Sequence, residues 1–344
     1  MSLTKLFNKT YRNALFTTPS HSQRFFITSK FEQFYKHDIS ETDTHEPEDA
    51  LLDAEKHASE IYGTTKTKFL TNGSTSGIIA SVLACVNRDD EVLIWNNSHP
   101  CHKNAVELSG ATPVFYELEK DEEWGIHKEL TPENLEKYLK NNKIKAVIVT
   151  SPSYYGVVSD IKALKEICTK YGTYLIVDEA HGALYPFSDK LPKSAVNIAD
   201  FTVQSLHKTA GGLNPTALLH TNTVLDIDSA LAKFSTTSPS YALLYSIERN
   251  INYLNSQKGR QKIDELIGNI QILRKNCSNI DFFDSDITKI LIKHKNYTGF
   301  ELSEKLFENK IEDEKTNEKS TMLLCGLGTD KSKLQRLEKV LRKL

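Results

Sequence analysis

One lysine stands where an apolar run gives way to a glycine-rich loop. Ser205-Leu206-His207-Lys208-Thr209 follows the stretch that begins at Phe201, and Ala210-Gly211-Gly212 comes after it. An amine so placed is offered to a loop rather than to a helix face, and amines condense with carbonyl groups in covalent catalysis. A lysine taken alone is a solvated surface charge, so its companions must decide. Val177-Asp178-Glu179-Ala180-His181-Gly182 closes a second apolar run, Tyr174–Val177. A carboxylate there either caps a turn or faces a cation held at the same sheet edge.

The second alternative names a chemistry. If Lys208 carries pyridoxal 5'-phosphate (PLP) as a Schiff base, Asp178 is the counter-charge for the protonated ring nitrogen. Such a pair attracts by about 4 kcal/mol at ~4 Å and an effective dielectric near ~20. The charged ring then stores the electrons of a breaking Cα bond. A phosphate needs its own site, and Thr71-Asn72-Gly73-Ser74-Thr75-Ser76-Gly77 precedes the apolar helix pattern from Ile78. Free N–H groups and the helix dipole make that start an anion site; a capped helix after a turn has the same sequence. The lysine of a P-loop is missing from it. His99-Pro100-Cys101-His102-Lys103 follows another apolar run. His102 stacks on the cofactor ring or caps the helix beginning there, and Cys101 reads as structural.

These segments need a scaffold that brings them to one edge. Apolar runs at Glu91–Asn96, Thr112–Leu118, Lys145–Ser151, Tyr174–Ala180, Phe201–His207 and Ala217–Thr221 read as strands. Helical patterns at Ser76–Val86, His102–Ser109, Thr131–Asn141 and Asp160–Tyr171 lie between several of them. Thr131 with Pro132 and Asp160 are start signals, and Gly172 is a stop. Alternation with apolar strand cores predicts an α/β fold, its mostly parallel sheet covered by helices on both faces. Ligands in such sheets sit beyond the carboxyl ends of the strands. The sequence divides into an N-terminal arm (1–45), a large domain (46–240), and a linking helix with a small α+β C-terminal domain (241–344). In the last part, Tyr241–Asn276 reads as one long helical stretch. A strand at Ile287–His294, a helix at Thr298–Asn309, a strand at Ser320–Gly326 and a helix at Lys331–Leu344 follow it. Glu312–Ser320 reads as a charged, mobile loop.

Composition narrows the function. The chain has 344 residues, 39% of them hydrophobic and 26% charged, with a formal charge of -2. That is an ordinary globular composition without the basic footprint of a nucleic-acid or anionic-membrane binder. No run has transmembrane length, and the first twenty residues lack a signal-peptide core. The five cysteines are widely spaced and none forms a C-x-x-C pair, so no metal site is expected and a reducing cytoplasm is.

Taken in order, the segments resemble the Orn/Lys/Arg decarboxylase family of fold-type I PLP enzymes. Thr18-Pro19-Ser20-His21 and Lys36-His37-Asp38-Ile39-Ser40-Glu41 are similar to its opening motifs. Asn72–Thr75, Ser151–Gly156, Asp178–Gly182, Ser205–Thr209 and Thr236–Tyr241 match its signatures, and Thr298–Glu301 with Cys325–Gly328 resembles its small domain. The resemblance implies that Lys208 holds the cofactor, Asp178 binds the pyridine nitrogen and His102 stacks on the ring. It implies phosphate contacts from Ser74, Thr75, Ser76, Ser205 and His207, and places His181 beside the ring near its phenolic oxygen. It further implies a homodimer with shared active sites, to which Thr236–Ser238 contribute. Ser20 replaces a glycine, Thr44–Pro47 lacks one, Ala210–Pro215 is an unusual loop, and the chain ends where many relatives continue.

The reaction implied is loss of the α-carboxylate of an amino acid through an external aldimine. No arginine lies between Lys275 and Gln335, the stretch from which aminotransferases of this fold grip that carboxylate. Arg24 or Arg249 could substitute. Aminotransferase or aldolase chemistry would share every cofactor residue, and products would separate them. A non-catalytic PLP-fold binding protein would show no Schiff-base band. The substrate is a basic amino acid, or an amino-acid group on a larger scaffold as in peptide–nucleotide (microcin C-type) antibiotic assembly.

Overall fold

The computed structural model describes residues 48–344 together with Ser2, Leu3, Lys5 and Ile39. The rest of the expected arm, the motifs at 18–21 and 36–41 apart from Ile39, Arg24 and the segment 44–47 lie outside the described residues. The strands are β1 (Lys66–Leu70), β2 (Glu91–Trp95), β3 (Thr112–Tyr116), β4 (Lys120–Asp121), β5 (Ile126–His127), β6 (Ile144–Thr150) and β7 (Tyr174–Asp178). They continue with β8 (Phe201–Ser205), β9 (Ala217–Thr221), β10 (Asp281–Phe282), β11 (Lys289–Lys293), β12 (Lys315–Thr316) and β13 (Thr321–Leu324). The helices are α1 (Asp49–Tyr62), α2 (Gly73–Cys85), α3 (Pro100–Ser109), α4 (Pro132–Asn141), α5 (Ile161–Tyr171) and α6 (Leu206–Thr209). After them come α7 (Ile227–Ala232), α8 (Tyr241–Asn255), α9 (Gln257–Asn276), α10 (Gly299–Glu308) and α11 (Lys331–Leu341).

The large sheet has seven strands in the order β1-β9-β8-β7-β6-β2-β3. From β3 through β8 every neighbour pairs parallel, while β9 is antiparallel to both β8 and β1. Side chains alternate between faces along each strand. Ile148, Ile176 and Val203 therefore pack with α2, α3 and α7, and Val147, Val149, Leu175 and Val177 pack with α4 and α5. Both faces are covered, and this is why β6 and β7 carry apolar residues at successive positions. The expected caps are made. Thr131 accepts from the Asn134 N–H, Asp160 accepts from the Ala163 N–H, and Gly172 adopts φ +66°.

The C-terminal part is an antiparallel sheet, β10-β11-β13-β12, with α10 and α11 packed in the same apolar cluster as α8 and α9. Two expectations change here. The stretch Tyr241–Asn276 is two helices, broken where Ser256 turns to ψ 155° and its hydroxyl accepts from the Gly259 N–H. A Cβ on Gly259 would stand 1.9 Å from the Tyr253 carbonyl oxygen, so the chain folds back there only with glycine. Glu312–Ser320 is no mobile loop, because β12 pairs with β13 and the Asp313 carboxylate accepts from the hydroxyls of Ser303, Thr316 and Thr321. Its charges are organised around one acceptor.

In β9, His220 is completely buried, and its Nδ1 lies 2.9 Å from Thr67 Oγ1. Burial pushes its imidazole down to about 3, so the unfolded chain binds an extra proton between that value and about 6.5. Stability contributed by neutral His220 is therefore complete above about 6.5 and falls on acidification by up to about 1.4 kcal/mol per pH unit. Denaturant midpoints at pH 7 and 5 should differ less in His220→Gln than in the parent. Equal differences would contradict this account.

Candidate active site

Parallel neighbours end at the same sheet edge, and β7 and β8 are neighbours. Asp178 is the last residue of β7, and Lys208 lies in the single turn α6 that follows β8. A cavity of about 270 Å³ opens at that edge and is lined by both. Asn72, Gly73, Ser74 and Thr75 at the start of α2 form another wall, with His99, Tyr154, His181 and His207 completing it. Gly77 brings α2 so close. A Cβ there would stand 2.7 Å from Val203 Cγ1 and 2.9 Å from Leu70 Cδ1, so the helix rests directly on β8 and β1.

The charges are set by burial and by neighbours. Burial alone would raise the Asp178 carboxyl, but the His102 hydrogen bond and charge, with Lys208, hold it at about 2. His102 Nε2 donates to Asp178 Oδ2 at 2.9 Å, and the Ala180 N–H donates to Oδ1 at 3.1 Å. Burial lowers the Lys208 amine, with partial opposition from Asp178. His181 is driven well below the usual imidazole range, first by burial and then by the charges of Lys208 and Lys289. Its Nε2 lies 3.2 Å from Lys208 Nζ, and its ring meets Tyr154 edge-on at 4.9 Å. The cavity thus offers an ionised carboxylate, an amine biased toward its nucleophilic form and an anion-binding helix start.

Some expected residues stand elsewhere than the sequence suggests. His102 is fully buried behind Asp178 and does not line the cavity, whereas His99 does. His99 also caps α3, its Nδ1 accepting from the Cys101 N–H, a task the sequence left open for His102. Ser76 turns its hydroxyl to the Gly73 carbonyl at 2.7 Å and is not on the cavity wall. Ser205 is wholly buried beneath the edge, its hydroxyl without a hydrogen-bond partner. His207 lines the cavity while its Nδ1 donates to the Thr216 carbonyl at 3.0 Å. Cys101, His102 and Asp178 offer ligand atoms within 4.8 Å of one another. Burial pushes the Cys101 thiol up to about 12, so the trio reads as support for Asp178.

Sequence reasoning missed Lys289. Its side chain is fully buried, and Nζ donates to the His181 carbonyl at 2.8 Å, to Asp286 Oδ2 at 2.8 Å and to Thr288 Oγ1 at 3.0 Å. The Tyr185 hydroxyl donates to the same Asp286 oxygen at 2.6 Å. The small domain thereby fixes the loop that carries His181.

Comparison with known proteins agrees with this geometry. The family model "Orn/Lys/Arg decarboxylase, major domain" matches residues 5–305. An arginine decarboxylase of Halalkalibacterium halodurans is 28% identical over 324 residues, covering 88% of this chain and 66% of that protein. An arginine decarboxylase of Bacillus subtilis is 33% identical over 231 residues, 65% of this chain and 47% of the relative. The lysine decarboxylase structure of Francisella novicida superposes with a TM-score of 0.86 at 20% identity, covering 99% of this chain and 59% of that one. The chain is therefore shorter than each of them, and the structural likeness establishes the fold.

Removing one partner of a buried ion pair strands the other. Lys289→Met should lower stability by about 3–5 kcal/mol, and adding Asp286→Asn should recover part of the loss. Chemical denaturation checks both, and additive losses would contradict the pairing.

Proposed function

The chain belongs to the Orn/Lys/Arg decarboxylase family, and from that premise we propose that it is a PLP-dependent decarboxylase. Its substrate is an amino acid, either basic or carried as an amino-acid group on a larger natural-product scaffold. In this reading the protein works in the cytoplasm as a homodimer, with Thr236–Ser238 serving the partner's cavity. The five cysteines carry free thiols, and no helix among the described residues is long and apolar enough to cross a membrane. The observation that carries the reading is the amine of Lys208 in one cavity with ionised Asp178 and the start of α2.

The residues fit the cofactor. Ser74, Thr75 and His207 line the cavity, and the buried Ser205 hydroxyl at the end of β8 has no hydrogen-bond partner among the described residues, a donor set suited to a phosphate. When bound, PLP supplies an aldehyde that condenses with amines and a ring that accepts the electron pair left at Cα when CO₂ departs. Asp178, its own proton affinity held low, would be the counter-charge that keeps the ring nitrogen protonated. His99, on the cavity wall, would flank the ring, and His102 orients Asp178 from behind. Lys208, biased toward the free amine, would be the residue that holds the cofactor, and neutral His181, with Nε2 3.2 Å from Nζ, could take up a proton from it. As an ammonium, Lys208 would be the proton donor at Cα.

Decarboxylation requires the α-carboxylate to stand off the ring plane without a tight cationic clamp. Among the described residues no arginine lines the cavity. Arg249, the described alternative, donates to the Tyr245 hydroxyl. This supports decarboxylation over transamination on the same fold.

The protein loaded with PLP should release CO₂ from an amino acid and leave the amine as product. A keto acid would indicate transamination instead. Lys208→Ala should abolish both turnover and borohydride trapping of the cofactor, and either one surviving would refute the assignment.

A further inference from the structure

A second chamber opens beside the cofactor cavity, and none of the chemistry above uses it. It measures about 240 Å³ and shares Trp95, Asn97, His99, Thr150 and Tyr154 with its neighbour. Leu118, Leu130, Val149 and Val157 give it apolar walls. Two polar atoms of the shared wall are buried without partners among the described residues, the indole N–H of Trp95 and the hydroxyl of Thr150. An unmade hydrogen bond of this kind is costly, and a ligand offering acceptors would remove that cost.

The charges on the lining point the same way. Of Lys128, Glu129 and Lys315, Lys128 is paired with Glu119 at 3.2 Å. Lys315 is exposed, with Nζ 4.3 Å from the centre of Tyr154 and 5.9 Å from that of Tyr155. Lys208 Nζ lies 5.8 Å from the centre of the same Tyr154 ring. One aromatic ring is therefore approached both by the amine of the reaction centre and by an ammonium without an ion-pair partner among the described residues. Glu129 and Glu314 are the opposing charges; both are exposed, neither makes an ion pair with Lys315 among the described residues, and the Glu314 carboxylate acts electrostatically on Tyr154 and Lys208.

We propose that this chamber is a subsite for an anionic group, a carboxylate or phosphate ester, carried on the substrate away from its reacting carbon, with Lys315 as counter-charge. Trp95 Nε1 and Thr150 Oγ1 donate to the same group. The inference rests on the decarboxylase reading and narrows it. The substrate becomes an α-amino acid with an acidic far end, in contrast to the cationic far ends of arginine and lysine.

The test titrates the PLP-loaded protein with L-lysine, L-norleucine, L-2-aminoadipate and O-phospho-L-homoserine, following the cofactor absorbance band. The acid-tailed compounds should bind about tenfold or more tighter than norleucine, the ratio given by one charge-assisted hydrogen bond. Lys315→Met should bring them down to the norleucine value, and comparing the two acids decides between carboxylate and phosphate. Tighter binding of lysine, abolished by Glu129→Gln, would overturn the proposal. So would an acid preference that survives Lys315→Met, or no response to any compound. A protein with no absorbance band and no borohydride-trapped Lys208 defeats the decarboxylase reading itself, whereas a band with the wrong preference defeats the subsite alone.

Discussion

Burial acts on Asp178 and Lys208 in the same direction, toward the neutral form, and the proposed chemistry needs it to succeed with only one of them. A neutral amine is the nucleophile, so desolvation of Lys208 helps. A neutral carboxyl at position 178 could not hold a pyridinium. The conflict is resolved from behind the sheet edge, where His102 Nε2 and the Ala180 N–H occupy the two carboxylate oxygens. A completely buried imidazole that never touches the cavity thus separates the behaviour of the two groups that do.

The site is also not the property of one layer. Lys289 reaches from β11 to the carbonyl of His181, and the Asp286 N–H donates to the Gly156 carbonyl at 3.3 Å. The Leu327 N–H donates to the carbonyl of Thr209, next to Lys208, at 2.9 Å. Three loops at the strand ends are therefore held by the small domain. A side chain at Gly326 would stand 2.5 Å from that Thr209 oxygen, and one at Gly156 would press on Lys289 Cβ at 3.0 Å. These close approaches make the orientation of Lys208 and His181 depend on how the two sheets dock.

Period and turn chemistry made most of the scaffold legible. Strands buried on both faces announce themselves as apolar runs, so β2, β6, β7, β8 and β9 stand out in the sequence. β1 does not, because its Lys66 and Lys68 read as surface; Lys68 is in fact buried against Glu55 and Asp228. The same blindness hid Lys289, whose partners Asp286, Thr288 and the His181 carbonyl converge only after folding. Two histidines three residues apart, His99 and His102, cannot be told apart by spacing. Only the docking of α3 decides which faces the cavity and which backs Asp178.

The position of Lys315 bears on the reaction as well as on the substrate. A cation bonded directly to the α-carboxylate would stabilise it most in the ground state, before the charge moves into the ring, and so would oppose CO₂ loss. The small domain does supply a cation, Lys315, but its ammonium packs on the ring of Tyr154, which Lys208 also approaches. Under the proposed chemistry a carboxylate leaves without an arginine salt bridge to break, and Lys315 is the charge left to select what enters.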